Sequence, residues 1–133
     1  MLVGEEAVVS GHRLKASTRR VGPMVVCSFS GDVVQEAAAV AENVLDKALA
    51  EEPAVLGVDL SGVGLFTSTG LNVLIQVRKR AAATEIPLVL IAPSLGVRRV
   101  LELTETGFLF PAFDTAEQAV SGLDGLTGGR GAV

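Results

Sequence analysis

The sequence predicts a single α/β domain with a mixed, mostly parallel sheet, and three observations support this fold class. The chain has 133 residues, a length typical of one domain. Hydrophobic residues make up 49% of the chain, which is enough for a packed core. Short apolar segments typical of buried strands alternate with segments of helical periodicity, and this order is typical of a parallel sheet covered by helices.

The first predicted elements are two strands joined by a tight turn. Leu14, Ala16 and Thr18 alternate with basic residues, which predicts a half-exposed strand. Gly22-Pro23 follows as a turn, and the apolar segment 24–30 predicts a more buried strand. Strands this close in sequence form a hairpin, which we place at one edge of the sheet. An N-terminal segment, residues 1–12, precedes the predicted domain.

Helical periodicity follows between residues 35 and 50. Asp32 is placed to cap the start of this helix, with Gln35 in the capping-box position. Pro53 lies beyond its end, and the apolar segment 54–60 predicts a buried strand. The residues predicted to form the inner face of the helix are Ala37, Ala41, Val44, Leu45 and Ala48.

The second half of the chain repeats the order of strand and helix, which gives about four helices in total. Gly107 stands where a glycine is expected to end the third helix. The predicted domain covers residues 13–121, and a flexible Gly-rich tail covers 122–133. A helix is predicted after Ser68, with Leu71, Leu74, Ile75 and Arg78 on one stripe. It is followed by a strand at 87–92, a helix capped by Ser94 and a short strand at 109–113. The last predicted helix is capped by Thr115, with Gln118 in the capping-box position and Ala119, Val120 and Leu123 inward.

The composition excludes several classes of function. The chain has one Cys, one His and no Trp or Tyr, so it has neither a disulfide framework nor the ligands of a Cys/His zinc site. Cys27 lies in an apolar segment and is interpreted as a small core residue. A net charge of −4 argues against nucleic-acid binding. Glu5 and Glu6 do not fit a signal peptide, and no apolar stretch approaches the ~20 residues of a membrane span. We therefore expect a cytoplasmic protein that needs no metal or other cofactor and binds neither nucleic acid nor a membrane.

Residues 58–74, VDLSGVGLFTSTGLNVL, form the most informative segment, because they lead from a buried strand into a helix. The spacing of the glycines does not fit a dinucleotide-binding loop, and the Gly-Lys-Ser/Thr of a phosphate-binding P-loop is absent. FTSTG approaches the nucleophile elbow of hydrolases, but Phe66 replaces the first glycine. No His follows Ser68, so a Ser-Asp-His triad in the hydrolase order cannot form. The sequence does not predict an enzyme.

Thr67, Ser68 and Thr69 place three hydroxyl groups at the start of this helix. One interpretation is structural, because Ser or Thr at this position caps free backbone N–H groups. The other interpretation is a phosphoacceptor, because a phosphate on Ser68 would lie against the positive end of the helix dipole. It would add about two negative charges to a neutral surface and would disrupt a partner bound there. The residues alone leave both interpretations open.

The motifs DLSGV at 59–63 and STGL at 68–71 resemble those of the STAS domain of bacterial anti-sigma factor antagonists. Weaker matches are SGD at 30–32, APS at 92–94 and VRRVL at 97–101. The resemblance runs from about residue 14 to residue 120 and implies a STAS-like fold.

The resemblance also implies a cytoplasmic protein that acts by partner switching. In this family the antagonist binds an anti-sigma factor, itself a serine-protein kinase of the GHKL ATP-binding type, and so releases sigma. Phosphorylation of the motif serine, which aligns with Ser68, ends the binding, and a phosphatase restores it. Thr67 and Thr69 are less favoured acceptors, and the protein is expected to be a monomer or a weak dimer. The expected partner-binding residues are Gly31, Asp32, Ser61, Gly62, Thr67, Ser68, Thr69, Gly70 and Asn72.

The chain departs from the family pattern at two positions. Thr67 replaces the Asp that usually precedes the phosphoacceptor, and Val34 replaces an acidic residue that often ends a motif after the second predicted strand. The alternative hypothesis is therefore a STAS accessory subunit of a lipid-transport ABC system, which binds an ATPase without being phosphorylated.

Overall fold

The computed structural model describes residues 3–9 and 12–122, and it describes the side chains of residues 14–122. The predicted Gly-rich tail beyond Gly122, including the inward position assigned to Leu123, lies outside these residues. The strands are β1 Val3–Val9, β2 His12–Val21, β3 Met24–Val33, β4 Val55–Phe66, β5 Leu88–Ile91 and β6 Ala112–Phe113. The α-helices are α1 Ala38–Leu49, α2 Ser68–Ala83, α3 Leu95–Leu103 and α4 Ala116–Ser121, and short 3-10 helices cover Gln35–Ala37 and Gly107–Leu109.

The six described strands form one mixed sheet, in which their spatial order is the same as their order in the chain. β2 pairs antiparallel with both β1 and β3, and β3 to β6 are parallel. The predicted α/β class, the hairpin of β2 and β3 and the parallel second half are thus confirmed. β1 was not predicted, and it lies outside the hairpin at the edge of the described sheet.

Helices cover both faces of the sheet. Buried residues of α1, α2 and α3 share one apolar cluster with residues that alternate along β3, such as Val25, Cys27 and Phe29. Met24 and Val26, which alternate with these residues along β3, face the opposite side of the sheet and pack in a second cluster with the buried alanines of α4. This alternation follows from the two-residue period of a strand. It confirms that Cys27 is a buried core residue, fully shielded from solvent.

The predicted inner face of α1 is confirmed, whereas α2 has a partly different buried face and β4 is longer than predicted. All five residues predicted to face inward from α1 or the turn before it are buried. In α2, Leu71 and Leu74 of the predicted stripe are buried and Ile75 and Arg78 are half-buried, and the buried face also includes Val73 and Val77. Strand β4 continues six residues beyond its predicted end at Leu60, through a segment of small residues that we interpreted as a turn.

The caps of α3 and α4 are confirmed. The hydroxyl of Ser94 accepts a hydrogen bond from the N–H of Val97, and that of Thr115 accepts one from the N–H of Gln118. In α4, Ala119 is buried as predicted, while Val120 is half-buried.

Two predicted caps are wrong. Asp32 does not cap the helical segment that begins at Gln35, because its carboxylate binds the backbone of β4 instead. Gly107 does not end α3. The helix stops at Leu103, and Glu105 takes the left-handed position with a φ of 55°. The N–H of Glu105 donates to the carbonyl of Glu102, and the N–H of Thr106 donates to the carbonyl of Leu101. This is the pattern of a Schellman motif, formed here without a glycine.

The last strand is shorter than predicted. Of the predicted segment 109–113, only Ala112 and Phe113 pair with β5, and Leu109 belongs to the 3-10 helix before it.

Candidate functional site

The candidate site lies at the edge of the sheet where the parallel strands β3 and β4 both end. The SGD motif at 30–32 lies beside the end of the DLSGV motif, because Ser30 pairs with Gly62 and Gly31 pairs with Val63. The approach is close, because a Cβ atom on Gly62 would lie 2.7 Å from Cβ of Ser30. Gly31 has a φ of 109°, a backbone conformation that residues other than glycine rarely adopt. Two sequence motifs that are about 30 residues apart thus form one surface.

Asp32 and Asp59 both shape this edge through hydrogen bonds to the backbone. One carboxylate oxygen of Asp32 accepts the N–H of Leu65 at 3.0 Å, which joins the ends of β3 and β4. Asp59 accepts the N–H and the hydroxyl of Ser61 at 2.9 and 2.8 Å. The hydroxyl of Ser61 is therefore used locally, although the residue is exposed. These bonds hold the backbone that leads to the three hydroxyl residues.

Thr67 is the N-cap of α2. Its hydroxyl oxygen accepts the N–H of Thr69 at 3.3 Å, and its hydroxyl lies 3.4 Å from the carbonyl of Val33, to which it can donate. The carbonyl of Thr67 accepts the N–H of Leu71, the first regular bond of the helix. The structural interpretation of the hydroxyl cluster therefore applies to Thr67, which connects the end of β3 to the start of α2.

Ser68 is the first residue of α2, and its side chain is exposed, whereas Thr67 and Thr69 are half-buried. The first N–H groups of an α-helix have no acceptor within the helix, so an anion is favoured there by both hydrogen bonding and the helix dipole. Ser68 thus presents an accessible hydroxyl beside donors suited to a phosphate. Asn72, one turn later, is also exposed, and its side-chain oxygen lies 3.5 Å from the amide nitrogen of Gln76.

Gly70 lets the first turn of α2 lie directly on the core. It is buried, and a Cβ atom there would lie 2.6 Å from the ring of Phe66, which is itself buried. Of the predicted partner-binding residues, Gly70 is thus the only one that is buried. Because Gly70 packs directly on Phe66, the first turn of α2, which carries Ser68, lies close to the end of β4.

Strand β3 brings the carboxylate of Asp32 to this edge, whereas the chain segment around Ser68 is itself uncharged. No Asp, Glu, Lys or Arg occurs between residues 60 and 77. Among the described residues, no group of three or more His, Cys, Asp or Glu side chains could hold a metal ion. A groove of about 430 Å³ lies elsewhere, between α3 and β6, where its lining includes Arg98, Leu101 and Phe113. No described helix has the length and apolar character that a membrane span requires.

Sequence reasoning did not identify the contribution of α3 to this edge. A Cβ atom on Gly96 would lie 2.7 Å from the carbonyl oxygen of Gly64, so the start of α3 packs against the end of β4. The N–H of Ser94 also donates to the carbonyl of Leu60 at 3.3 Å. Next to this contact, the side chains of Leu65 and Leu95 are 46% and 65% exposed. A leucine directly after a capping serine was the available signal, but it does not show whether that leucine is buried.

Comparison with known proteins yields one family. The family model for the STAS domain matches residues 15–119. No curated protein matches the chain.

Several solved structures share the fold. The chain is similar to an anti-sigma factor antagonist from Mycobacterium paratuberculosis, with 23% identity, a TM-score of 0.71, and coverage of 83% of this chain and 93% of that one. It is similar to a putative anti-sigma factor antagonist from Thermotoga maritima, with 23% identity, a TM-score of 0.69, and coverage of 80% and 92%. For unphosphorylated SpoIIAA of Bacillus, the identity is 18%, the TM-score is 0.70, and the coverage is 83% and 96%. At these identities the likeness shows the fold.

Proposed function

The chain belongs to the STAS domain family, and from this premise we propose that it is an anti-sigma factor antagonist controlled by phosphorylation of Ser68. The unphosphorylated chain binds an anti-sigma factor that is also a serine-protein kinase, and this binding releases sigma in the cytoplasm. Transfer of phosphate to Ser68 ends the binding, and a phosphatase restores it. Structures of the similar protein SpoIIAA in unphosphorylated and phosphorylated forms support a phosphorylated state on this fold.

The observation that carries this proposal is the difference among the three neighbouring hydroxyls. Thr67 uses its hydroxyl to cap α2, and Thr69 is half-buried, whereas Ser68 is exposed at the first helical position. A kinase can reach an exposed hydroxyl without unfolding the helix. Once added, the phosphate lies at the positive end of the helix dipole, near first-turn N–H groups other than that of Thr69, which Thr67 already caps, so the domain can carry it without loss of structure.

A phosphate at this position changes the surface more than the fold. It adds about two negative charges where residues 60–77 have none. A partner that binds the neutral surface must then desolvate a dianion, which strongly opposes binding. The switch therefore needs no movement of the sheet or of α2.

The other predicted residues form the surroundings of Ser68. Ser61 and Asn72 are exposed polar residues that we assign to direct contact with the partner. Gly62 exposes backbone at the same edge, while Gly31 and Asp32 shape the backbone beneath it. Gly70 acts indirectly, through its packing on Phe66.

The test is to incubate the chain with Mg-ATP and each purified anti-sigma serine kinase encoded in the same genome. Mass spectrometry should find phosphate on Ser68, and calorimetry should find that one kinase binds the unphosphorylated chain and releases the phosphorylated one. Phosphate on Thr67 or Thr69 alone would refute the assignment of Ser68. The absence of binding by every such kinase would refute the antagonist role.

The replacement of the usual Asp by Thr67 favours one second candidate, an accessory subunit of a lipid-transport ABC system. This candidate predicts that the chain binds the purified ATPase subunit of such a transporter and that Ser68 stays unmodified. The same mass-spectrometric measurement therefore separates the two functions.

A further inference from the structure

We propose that Leu65 and Leu95 form an apolar patch that inserts into a hydrophobic recess of the anti-sigma kinase, beside the contact made by Ser68. This inference rests on the proposed function and adds to it the residues that provide affinity. Ser68 would then control a binding surface whose affinity comes from its apolar neighbours.

The two leucines come from different elements that are in direct contact. Leu65 lies near the end of β4, and Leu95 is the first residue of α3. Between them, the backbones at Gly64 and Gly96 approach so closely that a Cβ atom on Gly96 would lie 2.7 Å from the oxygen of Gly64. The patch is therefore built on two touching backbones.

The backbone that carries the two leucines is held by hydrogen bonds. Asp32 accepts the N–H of Leu65 at 3.0 Å, and the side chain of Ser94 caps α3 next to Leu95. A backbone that is already ordered loses little conformational freedom on binding, so less of the free energy of the apolar contact is offset by ordering of the chain. Exposed leucines held this way are suited to act as anchors.

Continuity with the Ser68 surface identifies the occupant as the kinase. Only Phe66 and Thr67 separate Leu65 from Ser68 in the chain, and no charged side chain occurs between residues 60 and 77. Exposed leucine side chains of this kind fit an apolar recess, and water leaves the contact when it forms. A phosphate on Ser68 at the rim of such a dry contact is hard to desolvate, which explains how one modification would end the binding.

Helix α3 provides a matched control within the same element. Leu103, at the opposite end of α3, is 83% exposed, compared with 65% for Leu95. The two leucines have the same chemistry, but only Leu95 lies beside the end of β4. General effects of surface hydrophobicity would act on both alike.

The experiment measures the dissociation constant of the unphosphorylated chain for the purified anti-sigma kinase that binds it, with variants L65S, L95S and L103S. We expect L65S and L95S each to weaken binding at least tenfold and L103S to change it less than twofold. Thermal unfolding checks each variant, and L95S decides the outcome if L65S is less stable, because Leu95 is the more exposed of the two.

The outcomes separate this inference from the proposed function. If a kinase binds the wild-type chain and all three variants equally well, the patch is refuted and the antagonist role stands. If no kinase binds the wild-type chain, both are refuted together. If L95S instead dissociates a homodimer in sedimentation and leaves kinase binding unchanged, the patch binds a second copy of this chain and the inference is overturned.

Discussion

The carboxylate of Asp32 on β3 accepts a hydrogen bond from the backbone N–H of Leu65 on β4, with a distance of 3.0 Å between oxygen and nitrogen. The bond lies where the regular pairing of these strands is interrupted, between Gly31 and Val33. A side chain thus supplies an acceptor in a stretch where the regular ladder is broken. This relationship makes Asp32 a structural residue of the site, whatever further contact it makes with a partner.

We predict that Asp32→Ala lowers the free energy of unfolding by about 1 kcal/mol, because the N–H of Leu65 loses a charged acceptor at a partly exposed position. Asp32→Asn keeps a side-chain oxygen at this place and should lose less than half as much. Urea denaturation of both variants gives the comparison. Equal losses for the two variants would show that the charge, and not the hydrogen bond, is what stabilises this edge.

Thr67 gives a second prediction, because it holds the start of α2. Thr67→Ala should cost about 1 kcal/mol of stability through loss of the cap, while Thr67→Ser and Thr67→Asp, which keep a capping oxygen, should stay close to wild type. Thermal or urea unfolding measures the series. A Thr67→Ala variant as stable as wild type would contradict the capping role assigned from the distances.

Ser68 should affect binding without affecting stability. Because its side chain is exposed, we expect Ser68→Ala and Ser68→Glu to unfold within about 0.5 kcal/mol of wild type. Ser68→Ala should bind the anti-sigma kinase as the unmodified chain does. Ser68→Glu should bind at least about tenfold more weakly, since it places a charge in the contact. Equal affinities of the two variants for a verified kinase would contradict the switch.

Gly96 gives a fourth prediction, with Gly107 as its control. Gly96→Ala should lower stability by about 1–3 kcal/mol, because the added methyl group meets the backbone oxygen of Gly64 at 2.7 Å and α3 must move. Gly107→Ala adds the same group where no atom lies within 4 Å, so it should be close to neutral. Urea unfolding compares them. Similar stabilities would indicate that α3 can shift away from β4 at little cost.

Periodicity predicted those parts of the fold in which one side of an element is buried. The inner face of α1 was predicted residue by residue, because its alanines, Val44 and Leu45 recur at helical spacing. In α2 the apolar residues span about half of the helix circumference, and the predicted stripe, which includes Arg78, overlaps the buried face only in part. In β4 the small residues after Leu60 suggested a turn, yet pairing with β3 keeps this segment extended to Phe66.

The place of the candidate site's hydroxyl residues in the fold was predicted, whereas the contacts that support them were not. Local spacing placed the hydroxyls at the start of a helix, which the structure confirms for Thr67, Ser68 and Thr69. Local spacing could not predict that Asp32 would bind Leu65, because these residues are 33 positions apart. It also could not reveal the exposure of Leu95, which depends on how α3 packs against β4. Contacts between distant segments decided both.

The order of the strands has a consequence for the synthesis of this protein. Each described strand pairs with the strand that precedes it in the chain, so a chain leaving the ribosome can add every new strand to an edge that already exists. No described strand must wait for a later one to be inserted between it and its neighbour. Successive addition keeps the closure of each loop local, which favours rapid folding. The sheet can therefore grow from the N-terminal hairpin outward, and the Ser68 surface is completed once α3 packs against β4.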